Sequence, residues 1–283
     1  SLRCIPQVHG AVRDAVEQAK RVLEIELNAV TDNPLVFPDR EAEHVEEQVI
    51  SAGHFHGMPL ALAMSYVKAA IPTLASISER RLNKLVDPAT NDGLPAFLIG
   101  NEDGTESGHM IVQYTAAAIV NDLASRAHPA SVFSVPTSAN AEDHVSMGAN
   151  EARHVLAMVQ DLGKVLALEL YTAAQALDLR RDMINAARAL SVRTDAEGLA
   201  TKVSGGPSPG AEGRDVFLAE VDALRAALAA SEAFHPGHAV AAAHAAIRAK
   251  IPFLDRDRAL DGEVATAVRL VESGEILAAV RNR

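Results

Sequence analysis

The sequence predicts an all-α protein, a bundle of long helices. Three observations carry that expectation. Apolar residues recur at helical spacing along most of the chain, alternating β-type runs are few, and one segment of about 38 residues, Glu142 to Leu179, is free of proline and apolar on most of its sides. The material for a core is present, since 283 residues with 48% hydrophobic content can bury a sizeable interior.

Val12, Ala15, Val16, Ala19, Val22 and Leu23 mark the first helix, and the turn formers of TDNP, 31–34, end it near Asn28. Phe37 to Gln48 is charged and reads as exposed. VISAGHFHGMP, by contrast, combines small residues, glycines and aromatics, as a buried or partly buried loop would. Helices are predicted at 60–85 and 107–127, with DPATNDGLPAF as the loop between them and His128 and Pro129 closing the second.

The loop HPASVFSVPTSAN leads into the long segment. There Leu156, Val159, Leu162, Leu166 and Leu170 form one stripe, and Val155, Met158, Val165, Leu168, Ala173 and Leu177 widen it. At about 1.5 Å per residue such a helix runs roughly 57 Å, and it belongs in the middle of a bundle. VSGGPSPGAEGRD, 203–215, is the Gly/Pro-rich linker. Residues 1–203 are therefore expected to form the helical-bundle core with its loops, 204–214 the linker, and 215–283 a peripheral tail with helices near 215–232, 237–250 and 259–281.

Composition excludes several classes of function. With 26 Lys and Arg against 37 Asp and Glu, a net charge of -11 repels a polyanion, so no nucleic-acid partner is expected. Cys4 is the single cysteine, which rules out an intrachain disulfide and fits a reducing, cytoplasmic setting. The most apolar stretch, GMPLALAMSYVKAAIPTLAS, contains Lys68, Pro59 and Pro72 and reads as a buried helix, with no membrane partner expected. The opening SLRCIPQVHGA has no initiator methionine, and the expectation is a processed or partial chain.

Several stretches carry candidate chemistry. In SANAEDHVSMG, 138–148, Asn140 suits an N-cap, with Asp143 placed to reach back and Glu142 and Asp143 in the first turn, where the helix dipole favours negative charge. The same cluster follows a prolonged loop of small and polar residues, the kind of segment that carries function. Both readings of Glu142 stay open at this point. In GHFHG, 53–57, His54 and His56 face one side of an extended loop, but no third ligand is marked and no metal site is expected. NEDGTESG, 101–108, is acidic but lacks the spacing of a calcium loop. Arg3 reads as a surface cation whose planar fork would also suit a substrate carboxylate.

Taken in order, SLRCIPQVHGA, TDNPLVF, SAGHFHGMP, SISERR, GLPAFL, ESGHMIVQYTAAA, AHPASV, PTSANAEDHVSMG and LALELYTAAQALDLR resemble the aromatic amino acid lyase family, its histidine ammonia-lyases in particular. The match runs from residue 1 to about 180 and more loosely through LDRDRALDGEVATAVRLVESGEI. The resemblance implies the C-terminal part of that all-α fold, in a homotetramer whose sites are shared between subunits. It implies elimination of ammonia from L-histidine to give trans-urocanate. It also implies a methylidene-imidazolone (MIO) electrophile, formed in the family by cyclisation of an internal Ala-Ser-Gly.

This chain contains no Ala-Ser-Gly, and it starts after the point where the family has a tyrosine before SLRC. The expectation is a C-terminal segment that is not competent alone, with an N-terminal half supplying the electrophile. By resemblance Arg3 binds the substrate carboxylate, Phe55 lines the pocket, and Glu142 meets the substrate imidazole. His54 stands where asparagine is common and Ala141 where glutamine is common, which leaves the amino acid accepted open. A non-catalytic fragment keeping only the bundle and its assembly surfaces, and an aminomutase on the same scaffold, are the alternatives.

Overall fold

The computed structural model describes residues 2–39, 41–99, 105–191 and 236–281. Among them are seven α-helices: α1 (Ile5–Leu27), α2 (Met58–Val86), α3 (Met110–Arg126), α4 (Gly148–Ser191), α5 (His238–Arg248), α6 (Asp261–Glu272) and α7 (Glu275–Arg281). The protein is an all-α helical bundle, as its periodicity predicts. The expected linker at 204–214 and the helix near 215–232 lie outside the described residues.

α1 starts with Pro6 in its first turn, where a missing N–H costs nothing, and buries Ala15 and Ala19. Asn28 closes it, donating from Nδ2 to the Glu24 carbonyl at 2.7 Å. The charged stretch that follows forms the excursion between two short antiparallel strands, β1 (Leu35–Val36) and β2 (Val49–Ile50), paired Leu35 to Ile50 and Val36 to Val49. Asn33 Oδ1 accepts from Ala52 N at 3.0 Å and from Ser51 Oγ at 3.3 Å, so the TDNP turn fixes the start of the 51–57 loop.

The chain divides into two compact units, one made of the first 83 residues with 112–169, the other of 84–111 with residues from 170 onward. In the first, Ile71 and Ala75 of α2, Leu123 of α3, and Met158 and Val165 of α4 form a buried cluster, with Val67, Ile119, Val155 and Leu162 packed on it. Burying each large aliphatic side chain there contributes roughly 1.5–3 kcal/mol. By length and mean hydropathy (1.5 over its most apolar window) α2 could cross a membrane. Lys68 in its middle is instead fully buried and ion-paired to α4, as in a helix packed among other helices.

In the second unit Leu98, Ile251, Leu254 and Leu270 are buried. Gly108, at φ 50°, is required there, because a Cβ would lie 2.5 Å from the Phe97 carbonyl oxygen. Gly274, at φ 72°, breaks the helix expected over 259–281 into α6 and α7.

Candidate active site

The segment from 128 to 147 is a closed loop whose two arms are joined by successive rungs. At its base Ser131 N donates to Glu151 Oε1 at 2.9 Å, and Ala130 N donates to the same oxygen. Further out Val145 N donates to Ser134 Oγ at 2.7 Å. Near the tip Thr137 and Glu142 form an antiparallel bridge, with Thr137 N donating to the Glu142 carbonyl at 2.9 Å. Ser138, Ala139, Asn140 and Met147 all have positive φ, between 52° and 70°. Each L-residue held in that region costs roughly 1–2 kcal/mol, and such strain gathers at functional sites.

This geometry corrects the expectation of a helix beginning at Glu142. α4 begins at Gly148, and the acidic residue in its first turn is Glu151. Asn140 is no N-cap, since it occupies a left-handed position in the short 3-10 turn Ser138–Asn140, and asparagine tolerates that region as readily as it caps. Glu142 is half-buried, and its carboxylate has no hydrogen-bond or ion-pair partner among the described residues. The helix dipole therefore gives no account of it.

The GHFHG loop lies against the same segment. His56 Nε2 donates to the His144 carbonyl at 2.9 Å, the two imidazole rings stack at 5.7 Å, and a Cβ on Gly57 would stand 3.2 Å from Ser146 Oγ. The structure thus joins the loops of Phe55 and Glu142. Phe55 is 46% exposed, and His54 is exposed without a partner among the described residues. Arg3 precedes α1 and is exposed, with no ion pair among the described residues and no hydrogen bond to Phe55 or Glu142. A cavity of about 530 Å³ opens elsewhere in this unit, lined by Cys4, Val8, Pro72, Arg80 and Val120, and none of the three candidates lines it. No cluster of three metal-ligating side chains occurs among the described residues.

The sequence reading missed a buried pair beneath the loop. Lys68 and Glu151 side chains are both 0% exposed, with Nζ 3.1 Å from Oε2. Lys68 Nζ also donates to His154 Nδ1 at 2.9 Å, and Ser65 and Ser131 hydroxyls bond at 2.8 Å. Burial works to raise the Glu151 pKa, but the Ser131 N–H, the Lys68 ammonium and the Ala130 N–H outweigh it and hold the carboxyl below the usual carboxylate range. The available signal was a single lysine within the most apolar stretch of the chain, and Glu151 stands in a turn with Asn150, Arg153 and His154 that marks nothing by itself.

The second unit holds a different polar cluster. His109 is fully buried, its Nδ1 3.2 Å from Thr172 Oγ1 and its ring 4.6 Å from Tyr171. Desolvation, aided by the positive charges of Arg248 and Arg258, lowers its pKa to about 3. Burial and the hydrogen bond to Glu263 raise that of Tyr171, whose hydroxyl donates to Glu263 Oε2 at 2.5 Å. Gln175 donates to the Leu98 and Leu254 carbonyls at 3.1 and 2.8 Å and accepts from Leu254 N at 3.1 Å. Asp257 accepts from Ser107 N and Gly108 N at 2.6 and 2.7 Å.

Comparison with known proteins decides what these loops belong to. The sequence profile described as aromatic amino acid lyase matches residues 1–196. The chain belongs to the aromatic amino acid lyase family. It is 56% identical over 180 residues to histidine ammonia-lyase of Treponema denticola, covering 64% of this chain and 34% of that protein. Over 280 residues it is 42% identical to histidine ammonia-lyase of Symbiobacterium thermophilum, covering 99% of this chain and 44% of that one.

Among solved lyase-family structures, histidine ammonia-lyase from Trypanosoma cruzi superposes with a TM-score of 0.75 at 31% identity, over 99% of this chain and 44% of that chain. Tyrosine aminomutase from Streptomyces globisporus gives 0.74 at 31% identity, over 99% and 42%. The chain thus spans 34% to 44% of the length of these histidine ammonia-lyase relatives, matching their C-terminal portion.

Proposed function

We propose that this chain is the substrate-binding C-terminal portion of an ammonia-lyase that converts L-histidine to trans-urocanate and ammonia. The observation that carries the reading is the Glu142 carboxylate, half-buried and without a partner among the described residues, on a strained loop laid against the loop of Phe55. A carboxylate so placed accepts a hydrogen bond from a substrate imidazole N–H, and its charge makes that bond stronger than a neutral one. Phe55 supplies an aromatic wall. Arg3 presents two parallel N–H donors, which suit the substrate carboxylate.

The reaction also needs an electrophile for the amine and a base for the β-proton. With no Ala-Ser-Gly, the residues of this chain do not fit the family's methylidene-imidazolone. That group belongs to another segment, and the active species is a homo-oligomer, a tetramer by family likeness, working in the cytoplasm with that segment present.

The test compares the rigorously pure 283-residue chain with the same chain combined with an N-terminal lyase segment. Urocanate and ammonia are expected only from the combination, which should also show the near-ultraviolet absorbance of the ring. Urocanate from the pure chain overturns the proposal. The likeness to tyrosine aminomutase favours one further reading, amine migration without release. A β-amino acid as product, in place of ammonia, would establish it.

A further inference from the structure

We infer that Glu151 is a positioning residue for the Glu142 loop, its carboxylate stapling the loop's two ends together while buried Lys68 balances its charge. The inference rests on the lyase reading for its effect on substrate, but not for its structural part.

Glu151 lies in the first turn of α4, just past the point where the loop ends, and its Oε1 accepts from Ala130 N and Ser131 N, where the loop begins. One side chain therefore closes the loop. The remaining rungs, Ser134 to Val145 and Thr137 to Glu142, build outward from that base. Four left-handed residues oppose this path, so it persists only where cross-links over-determine it. Two backbone donors satisfied by one buried carboxylate form the strongest rung, because hydrogen bonds to a charged acceptor exceed neutral ones.

Lys68 reaches the opposite oxygen from α2, and His154, one turn along α4, accepts from the same ammonium. Both charges are wholly removed from solvent. Deleting one alone would leave the other buried and unpaired, and would unsettle the whole unit. The informative variants therefore remove both charges together.

Lys68→Met with Glu151→Gln abolishes the pair yet keeps an acceptor oxygen for Ala130 and Ser131. Lys68→Met with Glu151→Leu abolishes the acceptor as well. In the 283-residue chain, followed by hydrogen exchange and mass spectrometry, the second double variant should exchange the amides of residues 131–147 about tenfold faster or more than the first. Amides of α2 and α3 should agree within about threefold between the two. Equal loop exchange in both, or a uniform acceleration through α2 and α3, contradicts the inference.

In the lyase reassembled with its N-terminal segment, the Leu-containing double variant should lower kcat/KM for histidine about tenfold relative to the Gln-containing one. In a Glu142→Gln background the same comparison should differ less than about twofold, because a loop with no charge to present has little left to misplace. A loop that exchanges faster while turnover is unchanged contradicts positioning. Should Glu142→Gln alone leave turnover intact, the lyase reading of Glu142 fails, and the exchange experiment still decides whether Glu151 holds the loop.

Discussion

In the second unit Asp178 accepts from His244 Nε2 at 2.8 Å and from Arg248 Nε at 2.7 Å and is ion-paired to Arg181 at 3.1 Å, and Gln175 binds three backbone groups of Leu98 and Leu254. In the 128–147 loop, Glu142 has no side-chain partner among the described residues, and Ser138, Ala139 and Asn140 at the tip and Met147 at the end hold left-handed backbone. Both regions are rich in polar side chains, and both hold left-handed backbone, at Asp92, Phe97 and Leu98 in the second unit. One spends them on folding, tying α4 to the segments near Leu98 and Leu254, while the other holds its backbone with cross-links and leaves a charge available. A buried polar group that is fully partnered is evidence of structure. The half-buried charge without a partner among the described residues is what sets the loop apart, since left-handed backbone occurs in both regions.

The contrast is broken most severely at Asp178. Asp178→Ala takes the carboxylate from Arg248, leaving it only the neutral acceptors Gln175, Ile251 and Pro252, and should cost about 3–5 kcal/mol, read as a lower denaturation midpoint with unchanged slope. A loss under about 1 kcal/mol would mean that the network is not what holds the second unit together.

His109 makes the stability of the second unit depend on pH. Its pKa falls from 6.5 to about 3 on folding, so the unfolded chain takes up the proton first. The stability supplied by neutral His109 is whole above about pH 6.5 and is lost progressively as pH falls toward 3, about 2 kcal/mol by pH 5. His109→Leu should flatten the stability profile over that window. A variant whose acid sensitivity matches the parent would remove His109 from the account.

The smallest stability effects belong to the site candidates. Arg3→Ala and Phe55→Ala should shift unfolding free energy by no more than about 0.5 kcal/mol and 1 kcal/mol respectively, since neither side chain is buried. Arg3→Ala should nonetheless raise KM for histidine about tenfold in the reassembled enzyme. Loss of stability beyond those bounds would place either residue with the folding network.

Where helices rest on local periodicity, the sequence was read well: α1 ends at Leu27 beside Asn28, and α2 spans Met58–Val86. The errors arose where distant contacts override local preference. Between Glu142 and Met147 there is no glycine or proline to stop a helix, and the loop is held open by Ser134, Thr137, His56 and Glu151, which no local window contains. Lys68 and Glu151 announce nothing singly, and their pairing exists only once α2 and α4 pack. The loops of Phe55 and Glu142 were marked as candidate site segments by family resemblance, whereas the left-handed turn that sets Glu142 apart from a helix cap was not legible.

The most direct measurement is the turnover and stability of Glu142→Gln in the reassembled lyase. The change keeps shape and removes charge, and a hydrogen bond to a charged group is worth about 1.5–3 kcal/mol. The expected result is a fall in kcat/KM for histidine of roughly ten- to over a hundredfold, with unfolding free energy unchanged within about 0.5 kcal/mol. Undiminished histidine turnover accompanied by a stability loss of about 1 kcal/mol or more would contradict it, making Glu142 part of the scaffold.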